Sequence, residues 1–128
     1  MGRARVTDEF AAGVNHFNAG EFWEAHESWE HLWLEAEDDL VNFYQGLIQL
    51  AAAYHHCKRG TLRGAVRLFD AALKRLAPFP VHFHDLDRSD AIDAARRHQA
   101  WAAENVNSVV KLDPHEFPKL VLSRSGAT

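Results

Sequence analysis

Apolar residues recur at helical spacing through most of the chain. Phe10, Val14 and Phe17 follow Thr7-Asp8-Glu9, a cap candidate and two acids, and predict a short first helix closing near Gly20. Phe22, Ala25, Trp29, Leu32 and Trp33 form the stripe of a second helix from Glu21 to about Ala36. The acidic segment Glu35 to Asp39 reads as a turn and the start of a third helix, because acids favour the positive end of a helix dipole. That third helix, about Leu40 to Arg59, has apolar residues nearly all round it, which predicts a central position contacted on several sides. Leu62, Ala65, Val66, Phe69, Ala72, Leu73 and Leu76 give a fourth, cleanly amphipathic helix ended by Pro78 and Pro80. The stretch to Arg88 reads as loop. Asp87 to Asp90 then cap a fifth helix reaching about Asn105, and a tail with Pro114 and Pro118 is expected to run extended across the bundle.

Two of these helices repeat one pattern. With Gly20 aligned on Gly60, Phe22 matches Leu62, Ala25 matches Ala65, Trp29 matches Phe69 and Trp33 matches Leu73. Glycine makes the tight turn, the small alanine lets two helices approach, and the large residue fills the space between hairpins. The pattern is similar to the second helix of a tetratricopeptide repeat. It departs from it in a period of 40 residues rather than about 34, and in having only two units. The expectation is an all-α fold: a compact bundle of about five helices, built from two stacked helical hairpins plus a C-terminal helix and an extended tail. It forms a single domain over residues 1–128, with a core over 8–105 and residues 106–128 packing on it.

Composition narrows the function classes. Apolar residues are 47% of 128, enough for a real core, and the net charge of −4 comes from acids and bases mixed along the chain. No basic stripe for phosphates is visible, so nucleic acid is not an expected partner; Arg63, Arg67, Lys74 and Arg75 read as a solvated helix face. No apolar run suits a signal peptide or a bilayer span, so no membrane association is expected. The single cysteine, Cys57, excludes an internal disulfide, and a cytoplasmic location follows as the expectation. A protein partner or a homo-oligomer remains open, with exposed Trp23 as one contact candidate.

The nine histidines and four tryptophans are unusual for this length, and their placement suggests a site. In His26-Glu27-Ser28-Trp29-Glu30-His31, helical steps of about 100° put His26 on the apolar stripe and Glu30 beside it, while Glu27 and His31 turn outward. On the third helix Gln45, Gln49, Ala52 and His56 form a narrow, mainly polar seam. If the two helices are antiparallel neighbours, His56 should approach His26 and the glutamines should approach the Glu30 to Trp33 end.

Three readings stay open. The cluster His26, Glu27, Glu30 and His56, with Gln45, Gln49 and Trp33 behind it, can be a buried hydrogen-bond network that fixes which helix faces meet. It can hold a divalent transition metal through His26, Glu30 and His56, since two imidazoles and one carboxylate with open positions suit such an ion. It can line a site for a small ligand or a peptide. The first and third make the chain a helical binding or scaffold module; the second makes it a small metal-dependent enzyme, hydrolytic by preference.

Familiar catalytic patterns are absent. The zinc-peptidase motif His-Glu-x-x-His would need histidine where Glu30 stands. Cys57 and His56 are sequence neighbours and diverge on a helix. His82-Phe83-His84-Asp85-Leu86-Asp87 has metal-ligand spacing but reads as a solvated loop, and His16, His98 and His115 receive no role.

The stretch from Phe17 to Trp33, followed by Gln45-Gly46-Leu47-Ile48-Gln49, His56, Arg59-Gly60 and Gly64-Ala65, resembles a bacterial and archaeal family catalogued as domain of unknown function 309. The resemblance covers roughly Phe17 to Leu76. It implies an all-helical single domain, with His26, Glu27, Glu30, Trp33, Gln45, Gly46, Gln49 and His56 at the family's signature positions. It implies no activity.

Overall fold

A computed structural model describes residues 2–123, with side chains described from residue 8 onward. Five helices follow one another: α1 (Gly2–Asn18), α2 (Phe22–Glu35), α3 (Asp39–Arg59), α4 (Leu62–Leu76) and α5 (Ser89–Glu104). Each packs on the next in chain order, so α3 lies between α2 and α4 as its near-encircling apolar residues require. The all-helical expectation holds for the body of the molecule. Helix α1 starts earlier than expected: Thr7-Asp8-Glu9 lie inside it instead of capping it.

The two repeat glycines do the same job. Gly20 and Gly60 have φ of 77° and 83°, a region that costs other residues energy. Beyond Gly20 the Glu21 N–H donates to the His16 carbonyl at 2.9 Å, and beyond Gly60 the Thr61 N–H donates to the His56 carbonyl at 3.0 Å. These are the reversed bonds that close a helix at a left-handed residue. The matched positions Phe22 and Leu62, Ala25 and Ala65, Trp29 and Phe69 are all buried.

The loop expected between α4 and α5 is ordered as a small hairpin. Strands β1 (His82–Phe83) and β2 (Leu86–Asp87) pair antiparallel around His84-Asp85, and β3 (Val121–Leu122) from the tail pairs with β2. His84 and Asp85 have φ of 57° and 61°, the geometry of a two-residue hairpin turn. Such turns usually carry Asn-Gly or Asp-Gly, which is why His-Asp gave no turn signal. The Asp87 carboxylate then accepts from the Ser89 N–H at 2.9 Å and the Ser89 hydroxyl at 2.7 Å, at the start of α5. The tail crosses the bundle: the Leu112 N–H donates to the Cys57 carbonyl at 3.0 Å, the Leu120 N–H donates to the Asn18 side-chain oxygen at 2.7 Å, and both leucines are buried.

Candidate functional site

Ring contacts fix the register of α2 on α3. Phe22 stacks on Tyr54 at 5.4 Å between centroids, and Trp23 lies 5.4 Å from His55. The helices run antiparallel from there. His26 is therefore level with roughly the Gln49 to Ala52 turn of α3, and Trp33 with the Gln45 turn. His56 lies seven residues beyond Gln49, about 10 Å along the axis.

The structure accordingly does not bring His56 to His26. His55 is the histidine on the α2 side. His56 turns to α4, where its Nδ1 is 2.6 Å from the Thr61 hydroxyl and its ring lies over Gly64. A Cβ at Gly64 would stand 3.0 to 3.1 Å from that ring, so the glycine makes the room His56 occupies. Burial holds the His56 imidazole below its usual range, with Arg59 and Arg67 adding to the effect. The same causes, burial first and then Arg59, His56 and Lys58, depress His55.

His26 is half-buried, as is Val66 at the matching position of the second copy. Its ring stacks on Trp23 at 4.7 Å with 12° between planes. Its Nδ1 is shut off from solvent and meets no hydrogen-bond partner among the described residues. Trp33 Nε1 and Gln49 Oε1 are in the same condition. As for a hydrogen-bond network, Glu30 makes no bond to an imidazole among the described residues. Glu30 is half-buried and Glu27 exposed, and neither takes part in an ion pair among the described residues. Gln45 is half-buried beside Gly46, where a Cβ would stand 2.7 Å from Leu76. Among the described residues no three His, Cys, Asp or Glu side chains are grouped as metal ligands would be, and that includes His26, Glu30 and His56.

His26, Trp33 and Gln49 thus each keep hydrogen-bonding capacity unspent among the described residues. Trp33 Nε1 can only donate, Gln49 Oε1 can only accept, and His26 Nδ1 can do either according to tautomer. Near the N-terminal end of α2 lies a cleft of about 520 Å³ lined by Phe22, Trp23, Glu24, His55, Lys58, Arg59 and Lys111. Trp23 is 48% exposed there.

Three histidines left without a role, or read as loop, turn out to be structural. His84 Nε2 is 2.8 Å from the Tyr44 hydroxyl, and its ring meets Phe10 edge-on at 5.0 Å. His98 is buried, with Nδ1 2.7 Å from the Tyr54 hydroxyl and Nε2 3.6 Å from Glu116. His98 was legible: it continues the stripe Ala91, Ala94, Ala95, Ala102 at helical spacing, all of them buried. His82 pairs with Asp87 at 3.2 Å.

Residues 10–68 match the model of a family described as a domain of unknown function, DUF309. An uncharacterized protein of Aquifex aeolicus (strain VF5) is 32% identical over 88 residues, which cover 68% of this chain and 26% of that protein. The chain thus spans about a quarter of the length of that relative. No solved structure matches it. The seam residues His26, Trp33, Gln45 and Gln49, together with His56 and Gly64, all fall inside the family match. The stretch that builds the seam is thus the part of the chain that is similar to the domain family of unknown function DUF309.

Proposed function

We propose that this chain is a helical binding module that takes its ligand along the seam between α2 and α3. The observation that carries the reading is the set of three enclosed polar atoms, His26 Nδ1, Trp33 Nε1 and Gln49 Oε1, that find no partner among the described residues. Leaving such a group unpaired costs about 1–3 kcal/mol, and folding alone gives no reason to keep three on one seam. The ligand that fits supplies both acceptors and donors, as the carbonyls and N–H groups of an extended peptide do. Exposed Trp23, stacked on His26, gives it an apolar foothold near the N-terminal end of α2.

The setting proposed is the cytoplasm. Burial pushes the Cys57 thiol up to about 12, which keeps it protonated and unreactive. Among the described residues no helix is long and apolar enough to cross a membrane. Nucleic acid is not the proposed partner, since Arg63, Arg67 and Lys74 are spread along a solvated face of α4, while Arg75, expected on that face too, is half-buried because its stem packs beside Gly46.

Titrating a panel of capped tetrapeptides, read through the indole N–H signals of Trp23 and Trp33 by NMR, tests the reading. Binding peptides should move both signals, and Gln49→Leu should weaken the response about tenfold, the loss of one hydrogen bond to the seam. A panel that leaves both indole signals in place at millimolar concentration counts against it.

A further inference from the structure

We propose that a second cleft, between the start of α3, the end of α4 and the Pro78–Phe83 segment, binds a small monocarboxylic acid with an apolar, ring-sized body. This site is separate from the α2/α3 seam and does not depend on it. Its volume is about 600 Å³, within the range of roughly 300–1,000 Å³ usual for small-molecule sites. Pro78, Phe79, Pro80 and Phe83 give it an apolar wall, and Arg75 and Asn42 stand opposite as polar lining.

Arg75 is set up for a carboxylate. The stem passes Gly46, and the Nη1 donates to the Asn42 side-chain oxygen at 2.8 Å, which fixes the guanidinium plane. The Nε is enclosed and has no partner among the described residues. Nε and Nη2 share the guanidinium edge that grips a carboxylate through two parallel N–H bonds. Lys74 is engaged with Asp70 at 3.0 Å, so Arg75 is the uncommitted cation of the cleft. Asp39 also lines it and opposes negative charge, the more so the higher that charge, so a monoanion is disfavoured less than a dianion.

A second guanidinium lies behind the aromatic wall. Arg88 is 1% exposed, donates from Nη2 to the Phe79 carbonyl at 3.2 Å, and sits 5.3 Å from the Phe43 ring centre. Its Nε and Nη1 have no partner, and among the described residues it forms no ion pair. The neighbouring Asp87 carboxylate acts on it electrostatically, so Arg88 contributes to the cleft by holding the Phe79 backbone of its apolar wall.

The test titrates the full chain with 3-phenylpropionate, 3-phenylpropionamide and acetate, followed through the backbone amide signals of Ala71, Arg75 and Phe79. The acid should shift these signals at concentrations at least about tenfold below those needed for the amide or for acetate. Arg75→Lys keeps the charge but loses the fork, and should weaken the acid about tenfold while thermal unfolding stays unchanged. Should Arg75→Lys fold poorly, Asn42→Ala frees the guanidinium without removing it and should weaken the acid several-fold. The proposal is overturned if the acid produces no shift at millimolar concentration, if the amide or acetate matches it, or if the well-folded variant binds the acid as the original chain does.

Discussion

His98 ties the chemistry of one residue to the stability of the whole. It is buried beside the protonated Tyr54 hydroxyl, whose own ionisation burial pushes far up. Burial lowers the pKa of His98, although Glu116 partly opposes this. The folded state therefore binds its proton less readily than the unfolded chain does. Stability from this source is present above the ordinary histidine range and is lost as pH falls from about 6.5 toward the folded value. His55, His56 and His84 are depressed in the same direction by the same first cause, burial. Urea unfolding at pH 7.5 and pH 5.5 should show a less stable protein at the lower pH, with a smaller difference in His98→Gln; an equal difference would assign the loss to other groups. Periodicity put His26 on the stripe of α2, whereas His98 was given no role although it continues the buried stripe of α5. Periodicity misled for His56, because sharing a stripe with Gln45 and Gln49 does not mean sharing a neighbour. Over seven residues α3 moves about 10 Å, and His56 has passed the start of α2 to meet Thr61 and Gly64.

Helix against helix, the glycines of α3 and α4 set the spacing. Gly46 lies where a Cβ would meet Leu76 at 2.7 Å, and Leu76 is itself 2% exposed with little room to move. Gly46→Ala should destabilise the fold by about 1–3 kcal/mol through overpacking, measurable as a lower unfolding midpoint in urea. Gly64→Ala makes a different prediction. It should displace the His56 ring and break the bond to Thr61, so the His56 imidazole signals should move in NMR while those of His26 stay. The five helices and most of their ends, the start of α1 excepted, were legible because apolar period, glycine turns and proline stops agreed. The β1–β2 hairpin was not. It rests on two non-glycine residues at positive φ and on a third strand donated by the tail, 34 residues further on, and neither leaves a local signal.

For the molecule as a whole, the tail closes the bundle. Leu112 and Leu120 bury their side chains, and the backbone nearby bonds to Cys57 on α3 and Asn18 on α1. Ending the chain after Asn105 should cost about 3 kcal/mol or more, counting about 1.5–3 kcal/mol for each buried leucine, and should lower the melting temperature by several degrees. The candidate site was half legible at this scale. Its residues on α2 and its glutamines on α3 were identified from spacing, and they lie within the family match. The absence of internal partners for them could not be read from spacing, since it depends on where each side chain ends.

That absence is the centre of the account, and Gln49→Leu tests it directly through thermal and urea unfolding of the ligand-free protein. If the seam holds its polar atoms open for a ligand, replacing the enclosed Gln49 carbonyl by an apolar group of similar size should raise stability by on the order of 1 kcal/mol, at unchanged urea dependence. A loss of similar size would show that Gln49 is satisfied within the fold, and would contradict the account.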